Sequence, residues 1–209
     1  AGHDLALAST NAAADAIRTA GAIDNVATFS TAGNTTLGAN VTSSGSQSYV
    51  GPVTLANTVV LNAGAATIDL RDALDGGAHS LALVSTNPAA DALRSHAALS
   101  NLAQFVAAGN ATIGGDVTTS ATQVYTGNVA LAADTTFTGS ALTFNQALSA
   151  GAFQLNIQSD NAVFLGSVSG AGTLVLAPTL ANSSIGVAGG AGSFLISQAT
   201  LNQFGGFGT

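Results

Sequence analysis

The side chains with the greatest chemical potential fall in one short stretch, where Asp69, Asp72 and Asp75 stand around Arg71. Carboxylates at such spacing could serve as general acid and base on a polysaccharide, provided two of them converge beside a base or a cation. In the second copy of the repeat described below, Asn145 and Ser149 stand in the region of Asp69 and Asp75, so the cluster is not a repeated feature. The three histidines are dispersed, and without Cys or Glu they make a poor zinc set. His3 and His79 are repeat equivalents and Phe153 takes their place in a third copy, so this reads as a packed pleat position. His96 has Ala20 as its equivalent and reads as a surface variation. Asp15/Arg18 and Asp91/Arg94 recur at i, i+3, a spacing that brings partners together on a helix. They read as surface ion pairs contributing a few tenths of a kcal/mol, with a carbohydrate contact as the functional alternative. Asp oxygens and turn carbonyls also suit calcium. Residues 189–194 (GGAGSF), however, lack the Asp of the calcium-binding G-G-x-G-x-D repeat. There is no G-x-S-x-G, no Walker loop and no H-E-x-x-H, and Gly-rich stretches such as 186–192 read as turns. No catalytic, cofactor-binding or metal-ligating residue is assigned, and the chain reads as non-enzymatic.

Composition narrows the elements that must carry these side chains. Charged residues make up 6% of the 209, with ten Asp but no Glu and three Arg but no Lys. Hydrophobic residues make up 47% and mean hydropathy is +0.44, which argues against disorder. The wet surface of a helical protein is usually built from Glu, Lys, Arg and Gln. Here Thr, Ser, Asn and 25 Gly take that place, as suits strands and tight turns. The net charge of −7 and three scattered Arg disfavour nucleic acid and anionic membranes. No apolar run reaches the length of a transmembrane helix. There is no signal peptide, and the chain begins inside a repeat, so it reads as a segment of something longer.

Internal duplication decides the architecture. Residues 3–62 align without a gap onto 79–138, an offset of 76, with 30 of 60 positions identical. A third copy opens at 151–157 (GAFQLNI, echoing GAHSLAL at 77–83) and then diverges. This divides the chain into a first module (1–76), a second (77–150) and a diverged third with a Gly-rich ending (151–209). Gln47, Tyr49, Gly51, Val53 and Leu55 fall on alternate positions, as do Gln123, Tyr125, Gly127, Val129 and Leu131. That period of two marks strands with one buried face. Tandem, ungapped repeats with few large apolar residues fit stacked coils better than separate cores. The expected fold is therefore an all-β parallel β-solenoid with roughly three coils per module. Residues 11–28 and 87–104 are Ala-rich, and Asn11 or Asn87 could cap a short helix with Pro88 at its first position. The other reading is that Leu99, Leu102 and Phe105 feed the coil core. Tyr49 and Tyr125 read as repeated edge contacts with a wet hydroxyl rather than as sugar-stacking platforms.

The passages VTSSGSQSYVGPVTLANTVVLNA (41–63) and VTTSATQVYTGNVALAADTTFTG (117–139) resemble repeats of filamentous haemagglutinin-like bacterial exoproteins. The tail at 167–207 is similar to a segment that recurs in such surface proteins. The resemblance covers most of the chain. It implies a right-handed parallel β-helix exported across the outer membrane, serving adhesion, aggregation, biofilm or fibre formation. It carries no binding motif onto a particular residue.

Three function classes follow. The leading one is a structural or adhesive segment of a secreted bacterial surface protein, an extended rod with a carbohydrate or host-surface receptor. Its variant is a self-assembling fibre subunit, joined end to end or side to side. The second class is a carbohydrate-active β-helix enzyme built on Asp69 or Asp72. The third is an ice-binding solenoid, for which Thr35-Thr36, Thr118-Thr119 and Thr135-Thr136 would need to form outward Thr rows.

Overall fold

A computed structural model describes residues 2–208; Ala1 and Thr209, the outer limits of the first and third modules, lie outside it. Along most of the chain, short strands alternate buried and outward positions, as in Val53–Leu55, Val59–Asn62 and Leu81–Val84. Each strand pairs in parallel with strands about one coil earlier and later, so the chain is a β-solenoid. The coil has three faces. Face 2 is a sheet of nine strands in chain order from Ile17–Thr19 to Leu174–Ala177, one per coil. Faces 1 and 3 are two further ladders joined by the ten-residue strand Ile23–Ala32, whose early residues pair with Val41–Ser43 on face 3. Its later residues pair with Gln47–Val50 on face 1.

In-register partners on face 1 run Leu5, Phe29, Gln47, Ile68, Leu93, Ala111, Val129, Leu148, Val168. The coils therefore take 18 to 25 residues each. Inward side chains form one continuous cluster that crosses residues 76 and 150 without a break. Aromatic rings strengthen the later coils. Tyr125 stacks on Phe144 at 4.7 Å and Phe144 on Phe164 at 5.5 Å, while Phe137 meets Tyr125 and Phe144 edge-on at 5.3 Å. Such pairs contribute about 0.5–1.5 kcal/mol each beyond their buried area.

The repeat and the coil do not share a period. With Ile23–Ala32 counted once on each face it serves, eleven strands separate Leu5 from its equivalent Leu81, which is three and two-thirds coils. Leu5 lies on face 1, Leu81 on face 3, and the third-copy equivalent Leu155 on face 2. Each module is thus turned by one face relative to the last, and the expected three coils per module is corrected to three and two-thirds.

The helical loops considered for 11–28 and 87–104 are not formed. These segments hold Ile17–Thr19 and the start of Ile23–Ala32, and Leu93–Ser95 and Leu99–Leu102. Asn11 and Asn87 do not cap helices; each accepts from the backbone N–H two residues on, Ala13 and Ala89, and so closes a turn. Leu99, Leu102 and Phe105 sit in the core, where the inter-coil ladder satisfies the backbone and buries the side chains together. A short Ala run offers too few residues to nucleate a helix against that ladder. Among the described residues the one helix is Gln198–Leu201, capped by Ser197.

Two turn glycines fix the close approach of successive coils. Gly33 (φ 124°) and Gly109 (φ 145°) are repeat equivalents in the left-handed region, where a Cβ would lie 2.3 Å from the Ser9 carbonyl and 2.5 Å from that of Ser85. Gly109→Ala is expected to destabilise the chain by about 1–3 kcal/mol from backbone strain alone, with the clash adding to it. Chemical denaturation checks this against Gly205→Ala, where the added Cβ meets open space.

Candidate functional site

The most elaborate polar constellation is buried and occurs twice. Gln47 and Gln123 are fully buried. The Gln47 amide donates to the Val41 carbonyl (3.1 Å), the Ser43 hydroxyl (3.1 Å) and the Asn62 carbonyl (2.8 Å), and its oxygen accepts from the Tyr49 hydroxyl (2.9 Å). Gln123 repeats this with Val117 (3.0 Å), Thr119 (3.4 Å), Thr138 (2.8 Å) and Tyr125 (2.8 Å). The amide sits inside the corner between Val41–Ser43 and Gln47–Val50, where it adds a donor to carbonyls of two successive coils and the tyrosine hydroxyl occupies its oxygen. The reading of Tyr49 and Tyr125 as edge contacts with a wet hydroxyl is therefore corrected. Both are wholly buried, and burial pushes both phenols well above their ordinary value.

Five of the ten aspartates, Asp72, Asp75, Asp116, Asp134 and Asp160, also bind backbone N–H groups. Asp116 accepts from the Thr136 N–H, Asp134 from Gln154 and Asp160 from Thr179 and Leu180, each about one coil further on. Asn40 and Asn128 do the same for Val60 and Ala147. A side chain with one methylene reaches from a corner to the next coil, roughly 4.8 Å away. At Asp160 the Thr179 hydroxyl and then the Leu180 and Thr179 N–H groups hold the carboxyl below its usual range.

The three clustered aspartates do not act together. Asp72 binds the N–H of Ala73, and Asp75 binds the N–H of Gly77 and the Asn101 amide. Asp69 alone points outward from face 1. Its two oxygens meet Arg71 Nε at 2.8 Å and His96 Nε2 at 2.8 Å. Arg94, in register beside Asp69, pairs with Asp91. His96, read from sequence as a surface variation, thus joins the densest charge cluster on the molecule, which includes two of the three arginines. The 27-residue separation of His96 from Asp69 hides the contact in the sequence. Arg18 pairs with Asp15 at 2.9 Å, so both repeated i, i+3 pairs form, but across a turn and strand rather than on a helix.

The expected packed pleat position is corrected: His3 is exposed in His3–Ala8, while His79 and Phe153 are partly buried outside the strands, Phe153 packed against the core. In each Thr pair one residue faces in and one out: Thr35, Thr119 and Thr135 are buried. The outward row on face 2 reads Arg18, Thr36, Thr54, Asp75, Ser100, so charges interrupt it. Among the described residues no group of three or more His, Cys, Asp or Glu is placed to hold a metal ion. No helix there is long and apolar enough to cross a membrane. The chain matches no protein-family model, no curated protein and no solved structure in the comparisons made.

Two outcomes follow from the buried pair. Gln123→Leu removes the donor to the Val117 and Thr138 carbonyls and is expected to cost about 2–5 kcal/mol, and Tyr125→Phe about 1–3, both read by chemical denaturation. In the alkaline range the neutral phenol is the form the fold retains, so its contribution is intact below the unfolded-chain value of about pH 10 and is lost as pH rises above it. The chain has two Tyr and no Trp. Phenolate absorbance should therefore appear only together with loss of the β circular-dichroism signal; titration of either tyrosine in the folded chain would contradict the buried lock.

Proposed function

We propose that this chain is a non-enzymatic structural or adhesive segment of a secreted bacterial surface protein, serving as a stiff rod that carries loops and side faces outward for adhesion, aggregation or biofilm formation. The observation that supports it best is the single continuous core. Coil on coil, the inward positions are filled by side chains that touch their neighbours, and the polar groups most capable of chemistry are spent on holding corners. Gln47, Gln123, Asp116, Asp134 and Asp160 bind backbone rather than one another. A solenoid held together this way extends by nearest-neighbour stacking, which suits a spacer.

Outward positions are dominated by Ser, Thr, Ala and Asn, as in the face 1 row Ser30, Ser48, Asp69, Arg94, Thr112, Ala130, Ser149, Ser169. Small neutral side chains make a surface with little electrostatic repulsion toward a glycan or a cell wall. The receptor class proposed is an uncharged carbohydrate or host surface, met by the corner loops at 9–16 and 85–92. Those loops share their turn bonds: the Asn34 amide donates to the Ala12 and Ala13 carbonyls, and the Asn110 amide to those of Pro88 and Ala89.

The test has two arms. Displayed on a non-adherent bacterium, the chain should confer cell–cell aggregation or surface attachment, and deletion of either corner loop should reduce it. Incubated with a panel of polysaccharides, the purified chain should release no new chain ends. Degradation of any of them, abolished by Asp69→Asn, would replace the structural reading with an enzymatic one.

A further inference from the structure

Two concavities on the surface of the solenoid are copies of one another. One lies among the middle coils, has a volume of about 190 Å³ and is lined by Ala78, Asn101, Leu102, Thr118, Thr119 and Ser120. The other, of about 410 Å³, is lined by the repeat equivalents of all six, each 76 residues earlier. The outward polar members are identical in the two copies: Asn25 and Asn101, Thr42 and Thr118, Ser44 and Ser120. Exposed positions nearby have changed, as at Thr28/Gln104 and Val50/Thr126.

Each notch is made by a bulge. Leu99 pairs with Val117 and Leu102 with Thr119, so one strand carries an extra residue, and Ile23 with Val41 and Val26 with Ser43 repeat the irregularity. Asn101 (φ 53°) and Asn25 (φ 61°) take up the left-handed turn within it, a conformation Asn tolerates better than most residues. A bulge bends its strand and re-aims the side chains around it. The floor is held from inside, where the Gln123 amide donates to the Thr119 hydroxyl and that of Gln47 to Ser43. The hydroxyls of Thr118 and Ser120, and of Thr42 and Ser44, are exposed and have no hydrogen-bond partner among the described residues.

We propose that each notch binds one monosaccharide unit of an uncharged glycan, giving two equivalent sites per chain. The lining holds no charged side chain and no aromatic ring. It offers hydroxyls that both donate and accept, as those of a sugar do, and an Asn carbonyl oxygen that accepts. In the second notch the Asn101 amide donates to Asp75 at 3.0 Å, which turns the oxygen of Asn101 free of that contact and sets a negative charge at the rim against acidic sugars. A peptide strand finds no edge there, because Leu99–Leu102 and Val117–Thr119 are each paired with a coil on both sides. At about 30 Å³ per water, the second notch has room for about six waters, roughly the bulk of one sugar ring. A floor already fixed by the buried amide lowers the ordering cost of binding. The inference rests on the adhesive reading for its receptor class, and it places a contact separate from the loops at 9–16 and 85–92.

Backbone-amide chemical shifts of the full chain, titrated with neutral oligomers of glucose, mannose, galactose and N-acetylglucosamine, test this directly. One of these oligomers should produce saturable shifts at 101–103 and 118–120 and, in parallel, at 25–27 and 42–44. Thr118→Val combined with Ser120→Ala removes two hydroxyls that bind nothing within the protein. It should weaken binding at the second notch about tenfold, with the first notch and the circular-dichroism melt unchanged. The shifts of the unaltered chain locate the site even if the double variant misfolds. Saturable shifts confined to the loops at 9–16 and 85–92 or to the Asp69 cluster, undiminished affinity in the double variant, or no saturable shift from any oligomer would each overturn the proposal. Adhesion by the displayed chain without notch binding would leave the adhesive reading standing alone. Notch binding without adhesion would retain the two sites and remove that reading.

Discussion

Every coil in this molecule is held to the next by a parallel backbone ladder with a spacing of roughly 4.8 Å, and that spacing governs what each position can be. A residue on one coil lies directly over its partner on the next, so inward side chains must stack, outward ones must tolerate close neighbours, and corners must find partners for the groups the ladder omits. The strand Ile23–Ala32 makes the constraint visible by serving two faces in one run. At the corners Gln47 and Gln123 add donors from inside, and Asp and Asn side chains supply acceptors from the rim. Two hydroxyls, Thr31 and Ser95, remain buried without a partner. They flank Tyr49 and Leu70 on the same inward column, where a small side chain fits beside larger neighbours one coil away.

The segregation of roles follows from the same geometry. Polar groups of high hydrogen-bonding capacity face inward at corners, neutral groups cover most of the faces, and the densest outward charge cluster, around Asp69, is held in exposed ion pairs whose net contribution to stability is small. A chain with so little charge can distribute it unevenly at low cost, and the distal quarter carries none.

Much of this was legible in the sequence. The alternation from Gln47 to Leu55, repeated from Gln123 to Leu131, announced strands with one buried face, and tandem duplication without gaps announced stacking. What could not be read was the coil length, because in-register partners are separated by anything from 18 to 25 residues and corner loops absorb the difference. Without that spacing, Asp69 and His96 could not be placed together, and the 76-residue repeat suggested a whole number of coils. The Ala-rich segments misled in another way. Their local preference allowed a helix, but the inter-coil ladder offers each backbone group a partner on both sides, and local preference yields to it. The tyrosines misled because the amide two residues earlier supplies the hydroxyl with a dry partner, a pairing visible only once both are inside the bore.

The turning of each module by one face has a consequence for recognition. The loop at 9–16 stands at the edge between faces 1 and 2, and its twin at 85–92 at the edge between faces 3 and 1. They are a third of a revolution apart and offset along the axis by about 18 Å, at the usual strand spacing. Both edges border face 1, so a flat surface laid along that face meets both loops, one at each border. Faces 2 and 3 each border only one of the two loops, so the near-identical pair, which differ at Ala12 and Pro88, are presented together on one side of the solenoid alone.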